Sequence, residues 1–215
     1  MINILIADDH YLIRSGLRAL LSDEEDMTVV GEATNGTEVR SRLQELSPDV
    51  LLLDISMPGP SVASTVQFAQ KVCPSLKILI LTAYKGESYM RDLIKLGVHG
   101  YVLKDEAPES LVRAIRSVAG GDAWLSHSVV EIIADRPAGP IQPDRALTAR
   151  EQAVLALIAK GYPNGRIAQE LGITEGTVKN HVVSLYIKLA IHSRAEAVVR
   201  AIEYMHSQPE EGTTG

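Results

Sequence analysis

Cysteine is nearly absent: Cys73 is the only one in 215 residues. No disulfide can form within the chain, and a lone thiol in such a sequence reads as a small core residue. Long apolar runs are missing too. The purely apolar stretches last a few residues, against the roughly 20 needed to cross a bilayer. The opening "MINILIADDH" carries acids where a secretory leader carries basic residues. The expectation is a cytoplasmic protein with no membrane partner. Aromatics are scarce, with one Phe and one Trp, which argues against a base-stacking platform for single-stranded nucleic acid.

What is present divides the chain. The net charge of −6 is uneven, with 12 basic and 17 acidic residues in 1–125 but 7 and 5 in 146–206. An acidic first half and a mildly basic second half suggest separate tasks. Through residue 122, short apolar runs at 2–7, 27–32, 50–54, 78–82 and 100–104 alternate with helical patterns, the first with Leu12, Ile13, Leu17, Leu20 and Leu21 on one face and the others at about 36–46, 63–73, 87–96 and 108–119. Buried strands alternating with helices predict a doubly wound, flavodoxin-like (βα)5 domain. Residues 123–145 read as a linker with a short helix near 126–135, because "RPAGPIQPDR" holds three prolines and a glycine. Residues 146–206 have helical period only, broken at "KGYPN", "LGIT" and "AIHS", which predicts a small four-helix domain. Residues 207–215 read as a disordered tail.

The strand ends carry the chemistry. "LLLDISMPGP" runs three leucines into Asp54 and then stops. Asp8 and Asp9 follow the first strand, Thr82 ends the fourth and Lys104 the fifth. In an open parallel sheet the carboxyl ends gather at one edge, where ligands bind. With strand order 2-1-3-4-5 these residues become neighbours. Carboxylates forced together disfavour joint ionisation unless a cation intervenes, and oxygen donors of this kind suit Mg²⁺. Thr82 and Lys104 can hold the oxygens of a phosphoryl group. Asp54, at the centre, can act as a nucleophile and form an aspartyl phosphate. The blander reading makes Asp8 and Asp9 helix caps, Asp54 a turn former, Thr82 a strand-end cap and Lys104 a solvated charge.

The segments "IADDHYLIRSGL", "PDVLLLDISMPG", "ILILTAY" and "GVHGYVLKD" resemble the receiver domain of bacterial two-component response regulators over about residues 1–120. The resemblance implies that Asp8, Asp9 and Asp54 hold Mg²⁺ together with the backbone carbonyl of Ser56, and that Asp54 is the phosphoacceptor. It also implies that Thr82 and Lys104 contact the phosphoryl group, that Tyr101 turns inward as Thr82 moves, and that Ser56 and Tyr84 flank the path of the water that ends the signal. One departure stands out. "MPGPSVAST" places Ser61 and Val62 where related receivers continue with an acid and a glycine, and valine does not take positive φ cheaply. The loop at Gly59–Val62 is expected to follow its own path.

In the second half, Gly172 and Thr174 punctuate two helices, the first ended by glycine and the second capped by threonine. The second helix is expected to expose Thr177, Lys179, Asn180 and Val183 while Val178, Val182 and Leu185 face inward. Polar donors on the first turns suit the major groove, where asparagine pairs with adenine and lysine reaches guanine or phosphate. A plain helical bundle for protein contact has the same pattern. The stretches "LTAREQAVL", "TVKNHV" and "KLAIHSRAEAV" resemble the LuxR-type helix-turn-helix domain of the NarL/FixJ regulators. The resemblance adds Lys188 to the expected DNA contacts. Pro163, Gly165, Ala190 and Val183 depart from that family's pattern.

The expectation is therefore a DNA-binding response regulator, phosphorylated on Asp54 by a sensor histidine kinase. It would form a homodimer on activation, through the last helix with Ala195, Val198, Val199 and Ile202, and bind a two-fold double-stranded DNA operator. RNA polymerase is a candidate partner and Mg²⁺ the cofactor. No enzymatic role is expected beyond self-phosphorylation from acyl phosphates and self-dephosphorylation. Two rivals are a regulator that binds DNA without phosphorylation and a Mg²⁺-dependent phosphohydrolase with an aspartate nucleophile, although Ser56 stands where such enzymes carry their second acid.

Overall fold

The computed structural model describes residues 1–83, 87–134, 147–189, 191 and 194–207. Six parallel strands form one sheet: β1 (Ile2–Ala7), β2 (Met27–Ala33), β3 (Val50–Leu53), β4 (Lys77–Thr82), β5 (Gly100–Leu103) and β6 (Trp124–Leu125). Their order is β2-β1-β3-β4-β5-β6. The first five strands match the expected order. The sixth was expected as linker: a two-residue strand is too short to show any period, yet Gly100 and Tyr101 of β5 pair with Trp124 and Leu125.

The strands are buried because helices cover both faces. Ile4, Ile6, Leu52, Leu79, Leu81 and Val102 pack against Leu17 and Leu21 of α1 (Tyr11–Ser22) and Leu111, Ile115 and Val118 of α5 (Pro108–Ala119). Alternate strand residues, Leu5, Leu51, Leu53, Ile78, Ile80 and Leu103, face the other helices. These are α2 (Gly36–Glu45), α3 (Val62–Val72) and α4 (Glu87–Lys95). This is the period-two alternation that a doubly covered sheet requires.

The loop at Gly59–Val62 resolves simply. Gly59 takes the left-handed conformation, φ 103°, which glycine adopts without a Cβ penalty. Ser61 then caps α3 by accepting from the Ser64 amide at 3.2 Å. Val62 therefore sits in the helix and needs no positive φ.

After β6, α6 (His127–Ala134) packs against α4 and β5 and also reaches the helical half. That half comprises α7 (Ala149–Ala159), α8 (Asn164–Leu171), α9 (Glu175–Leu189) and α10 (Arg194–Ser207). Thr148 and Glu151 form a reciprocal capping box at the start of α7, of the kind that contributes about 1 kcal/mol. Gly172, at φ 63°, ends α8, and Thr174 accepts from the Thr177 amide at 3.1 Å to open α9. Ala197 and Ala201 of α10 are fully buried, leaving Val199 58% exposed and Ala195 exposed. Among the described residues, no helix is long and apolar enough to cross a membrane.

Candidate functional site

Strand register brings the expected residues together. Ala7 pairs with Leu53, so Asp8 and Asp54, each one residue beyond its strand, lie side by side. The Asp54 amide donates to Ala7 O at 2.8 Å. Thr82 pairs with Leu103, and the Lys104 amide donates to Thr82 O at 2.9 Å. Asp8 and Asp54 are 1% and 2% exposed, and Thr82 is fully buried. The Lys104 ammonium bridges them, 2.5 Å from Asp8 Oδ2 and 2.8 Å from Asp54 Oδ2. Burial alone would lower its pKa, but its hydrogen bonds and charge contacts with Asp54 and then Asp8 outweigh that and hold it above the usual lysine value.

Asp9 is more open, and its Oδ1 lies 2.8 Å from His10 Nδ1. The His10 amide donates to Asp8 Oδ1 at 2.8 Å. Arg14, buried on α1, fixes the turn by donating to Asp8 O at 2.9 Å and to Glu32 at 3.0 Å. Arg14 is a positioning residue that the sequence pattern missed, because its α-helical period makes it look like any solvated charge. Ligand atoms of Asp8, Asp9, His10 and Asp54 lie within 4.8 Å of one another. The carboxylates are a hard-oxygen set that fits Mg²⁺; His10 is the one soft addition. The Ser56 amide donates to Asp54 Oδ1 at 3.3 Å, which places Ser56 beside the acid. Tyr101 is fully buried, so its ring is turned inward. Tyr84 lies outside the described residues.

The helical half departs from expectation. Within its own bundle α9 faces as its period predicts, with Val178, Val182 and Leu185 fully buried. However, Lys179 and Val183, expected on the solvent side, are only 8% and 6% exposed. The receiver half covers them, because α9 packs against α4, α6 and β6. Lys179 Nζ donates to the carbonyl of Gly97, just after α4. Asn164 donates to Gly121 O at 3.0 Å, and Arg194 reaches Asp122 at 3.0 Å and Asn164 at 3.2 Å. Asn180 is exposed and Thr177 half-exposed at the margin of this seam. Lys188 is paired inside its own half, 2.7 Å from Glu151 Oε2. Glu151 also accepts from Ser184 at 2.6 Å. Burial would raise its pKa, but the bonds from Lys188, Ser184 and Thr148 hold it at about 2.

Comparison with known proteins agrees with this division. Residues 4–116 match the response regulator receiver domain family, and residues 145–201 match the bacterial regulatory proteins of the luxR family. The chain is 38% identical over 204 residues to the nitrate/nitrite response regulator protein NarL of Escherichia coli K12, covering 91% of this chain and 93% of NarL. It is 36% identical over 210 residues to the oxygen regulatory protein NreC of Staphylococcus epidermidis, covering 93% and 96%. Among solved structures, RcsB from Salmonella enterica serovar Typhimurium, bound to a promoter in the presence of a phosphomimetic, superimposes with a TM-score of 0.58 at 28% identity. That match covers 95% of this chain and 98% of RcsB.

Proposed function

We propose a mechanism from one premise: the chain belongs to the NarL/FixJ family of two-component, DNA-binding response regulators. Asp54 is the phosphoacceptor and a histidine kinase the donor. A bond forms between an Asp54 oxygen and phosphorus, the bond from phosphorus to the kinase imidazole breaks, and its electron pair stays on that nitrogen. The observation that carries this reading is the Lys104 bridge, which holds Asp8 and Asp54 side by side in a buried pocket. Asp8, Asp9 and Asp54 with the Ser56 carbonyl would hold Mg²⁺, which when bound supplies positive charge against the crowded oxygens. Lys104 and Thr82 then face the phosphoryl oxygens. The same geometry supports self-phosphorylation from small acyl phosphates as part of the proposal.

The output is exposure of α9. Covered as it is, α9 cannot enter a major groove, so this arrangement corresponds to a resting state. β4 and β5 run from the acid pocket to the seam, and α4 connects the region after Thr82 to Gly97, which receives Lys179. Phosphorylation acts as a population shift only if the phosphoryl group is bound better in the open form. Tyr101 is inward in this arrangement, in which α9 is covered. Once released, Thr177, Lys179, Asn180 and Val183 are the candidate DNA contacts, with Lys188 held back by Glu151. RcsB, a promoter-bound relative, supports the same output here. Dimerisation on a two-fold operator, recruitment of RNA polymerase and a cytoplasmic setting belong to the proposal as well.

The test is incubation with acetyl phosphate and Mg²⁺ followed by intact-mass measurement. One phosphoryl group is expected on the wild type and none on Asp54→Ala. Equal uptake by the variant would assign the phosphoacceptor elsewhere.

A further inference from the structure

The seam holds a second charged site, at the amino ends of the strands and thus across the sheet from Asp54. A cavity of about 410 Å³ opens there between the two halves. Its lining includes Lys77, Lys95 and His99 from the receiver side and Glu175, Lys179 and Asn180 from α9. Lys179 is more than nine-tenths buried, and its ammonium is met by the Gly97 carbonyl. Among the described residues, no carboxylate forms an ion pair with Lys77 or Lys179. Lys95, at the rim, reaches Asp92 at 3.7 Å. The ring of His99 accepts from the Ile78 amide at 3.2 Å through Nδ1, which leaves Nε2–H as its remaining donor. α9 also begins at this space, where its positive end is met by its own first-turn acid, Glu175, the one carboxylate in the lining.

A buried ammonium facing a second lysine is costly, and an anion is the partner that removes the cost. We propose that this cavity binds a small polyvalent oxyanion, a phosphorylated or polycarboxylate metabolite, which joins Lys77 of the receiver to Lys179 of α9 and holds the two halves together. Because both halves contribute, such a ligand favours the closed arrangement over the open one. Binding stands on the cavity alone; its effect on DNA rests on α9 being the DNA-reading helix.

The protonation of Lys179 supplies a distinctive readout. Burial first, and then the charge of Lys77, push its pKa down to about 7. An anion beside it restores the ammonium, so binding above neutral pH takes up a proton. Lysines on an open surface are already charged and take up none.

The experiment is isothermal titration calorimetry of the full chain in magnesium-free buffer, with citrate and inorganic pyrophosphate as separate probes. Citrate is also titrated at about pH 8 in two buffers of different ionisation heat, to count protons. Saturable binding of either probe is expected, and the probe preferred selects the ligand class. Lys77→Met and Lys179→Met should each weaken it about tenfold or more, while Lys71→Met, on an exposed position, should not. Proton uptake approaching one per citrate is expected for the wild type, a result independent of whether the variants fold. Failure of both probes to saturate, equal affinity in Lys77→Met, or an absence of proton uptake would overturn the site. If the anion binds as expected yet duplex affinity at matched ionic strength is unchanged, the anion site stands and its hold on α9 falls.

Discussion

At the carboxyl edge of the sheet, two carboxylates that are 1–2% exposed share one ammonium. At the amino edge, Lys77 and Lys179 line one cavity, and among the described residues no carboxylate forms an ion pair with either. Both edges crowd like charges, two buried acids at one and the buried Lys179 with the half-buried Lys77 at the other, and a ligand of the opposite sign would relieve either. The difference lies in what opposes the crowding. The acid edge carries its own lysine, so it holds its geometry before any ligand arrives. The basic edge exists only while the two halves are in contact, so its charges work against that contact. The first edge is built to receive a group, and the second to be released. β4 and β5 pass through both edges, which gives a change at one a rigid path to the other.

Removing the internal lysine from the acid edge should break the comparison most severely. Lys104→Ala leaves Asp8 and Asp54 facing each other in a buried site. The expected cost is roughly 3 kcal/mol, the low end for a broken buried pair because Lys104 keeps some solvent contact. Urea unfolding in EDTA measures it, and Mg²⁺ should restore more stability to the variant than to the wild type. Equal stability in EDTA would mean that the bridge does not organise the pocket.

Changing pH should sharpen the comparison at the basic edge. In the closed form Lys179 titrates at about 7, whereas released into water it returns to about 10.4. Between those values the open form binds more protons, so raising pH favours closure; below about 7 both forms are protonated and the dependence vanishes. The unphosphorylated protein should thus bind a random-sequence duplex up to about tenfold more weakly at pH 8 than at pH 6.5, one pKa unit being about 1.4 kcal/mol. Lys179→Met should flatten the profile. A wild-type profile that is already flat would place Lys179 in water.

A smaller effect should follow from loosening the seam at its polar anchor. Asp122 is on the receiver side and pairs with Arg194 at 3.0 Å, with both side chains partly buried. Asp122→Ala should raise duplex affinity of the unphosphorylated protein roughly fivefold, about 1 kcal/mol, as for a modest ion pair. Fluorescence anisotropy at fixed salt reads it. Unchanged affinity would show that the apolar contacts of α9 with α4 and α6 hold the seam unaided.

The two edges also differ in how readily the sequence displays them. Asp8, Asp54, Thr82 and Lys104 are visible because each interrupts an apolar run, and parallel topology does the rest. Within the bundle, Val178, Val182 and Leu185 are equally visible from their period. The burial of Lys179 and Val183 is not, because the surface that covers them comes from residues near 97 and 121, and nothing in local spacing records a partner so distant. β6 is hidden by its brevity. Lys188 looks like a free cation until folding brings Glu151, 37 positions away, against it. Val62 misleads in the opposite direction, since Gly59 supplies the left-handed turn.

The central claim is that charge added at Asp54 releases a helix held at the other edge. The most direct measurement is anisotropy titration of the intact protein with a random-sequence duplex at one fixed salt concentration, because phosphate contacts dominate such binding and vary steeply with salt. It is made with and without beryllofluoride and Mg²⁺. Wild-type affinity should rise about tenfold or more with beryllofluoride, Asp54→Ala should show no response, and Asp122→Ala should start higher and gain less. A wild type that takes up beryllofluoride, confirmed by mass or fluorine NMR, yet binds duplex with unchanged affinity would contradict the claim.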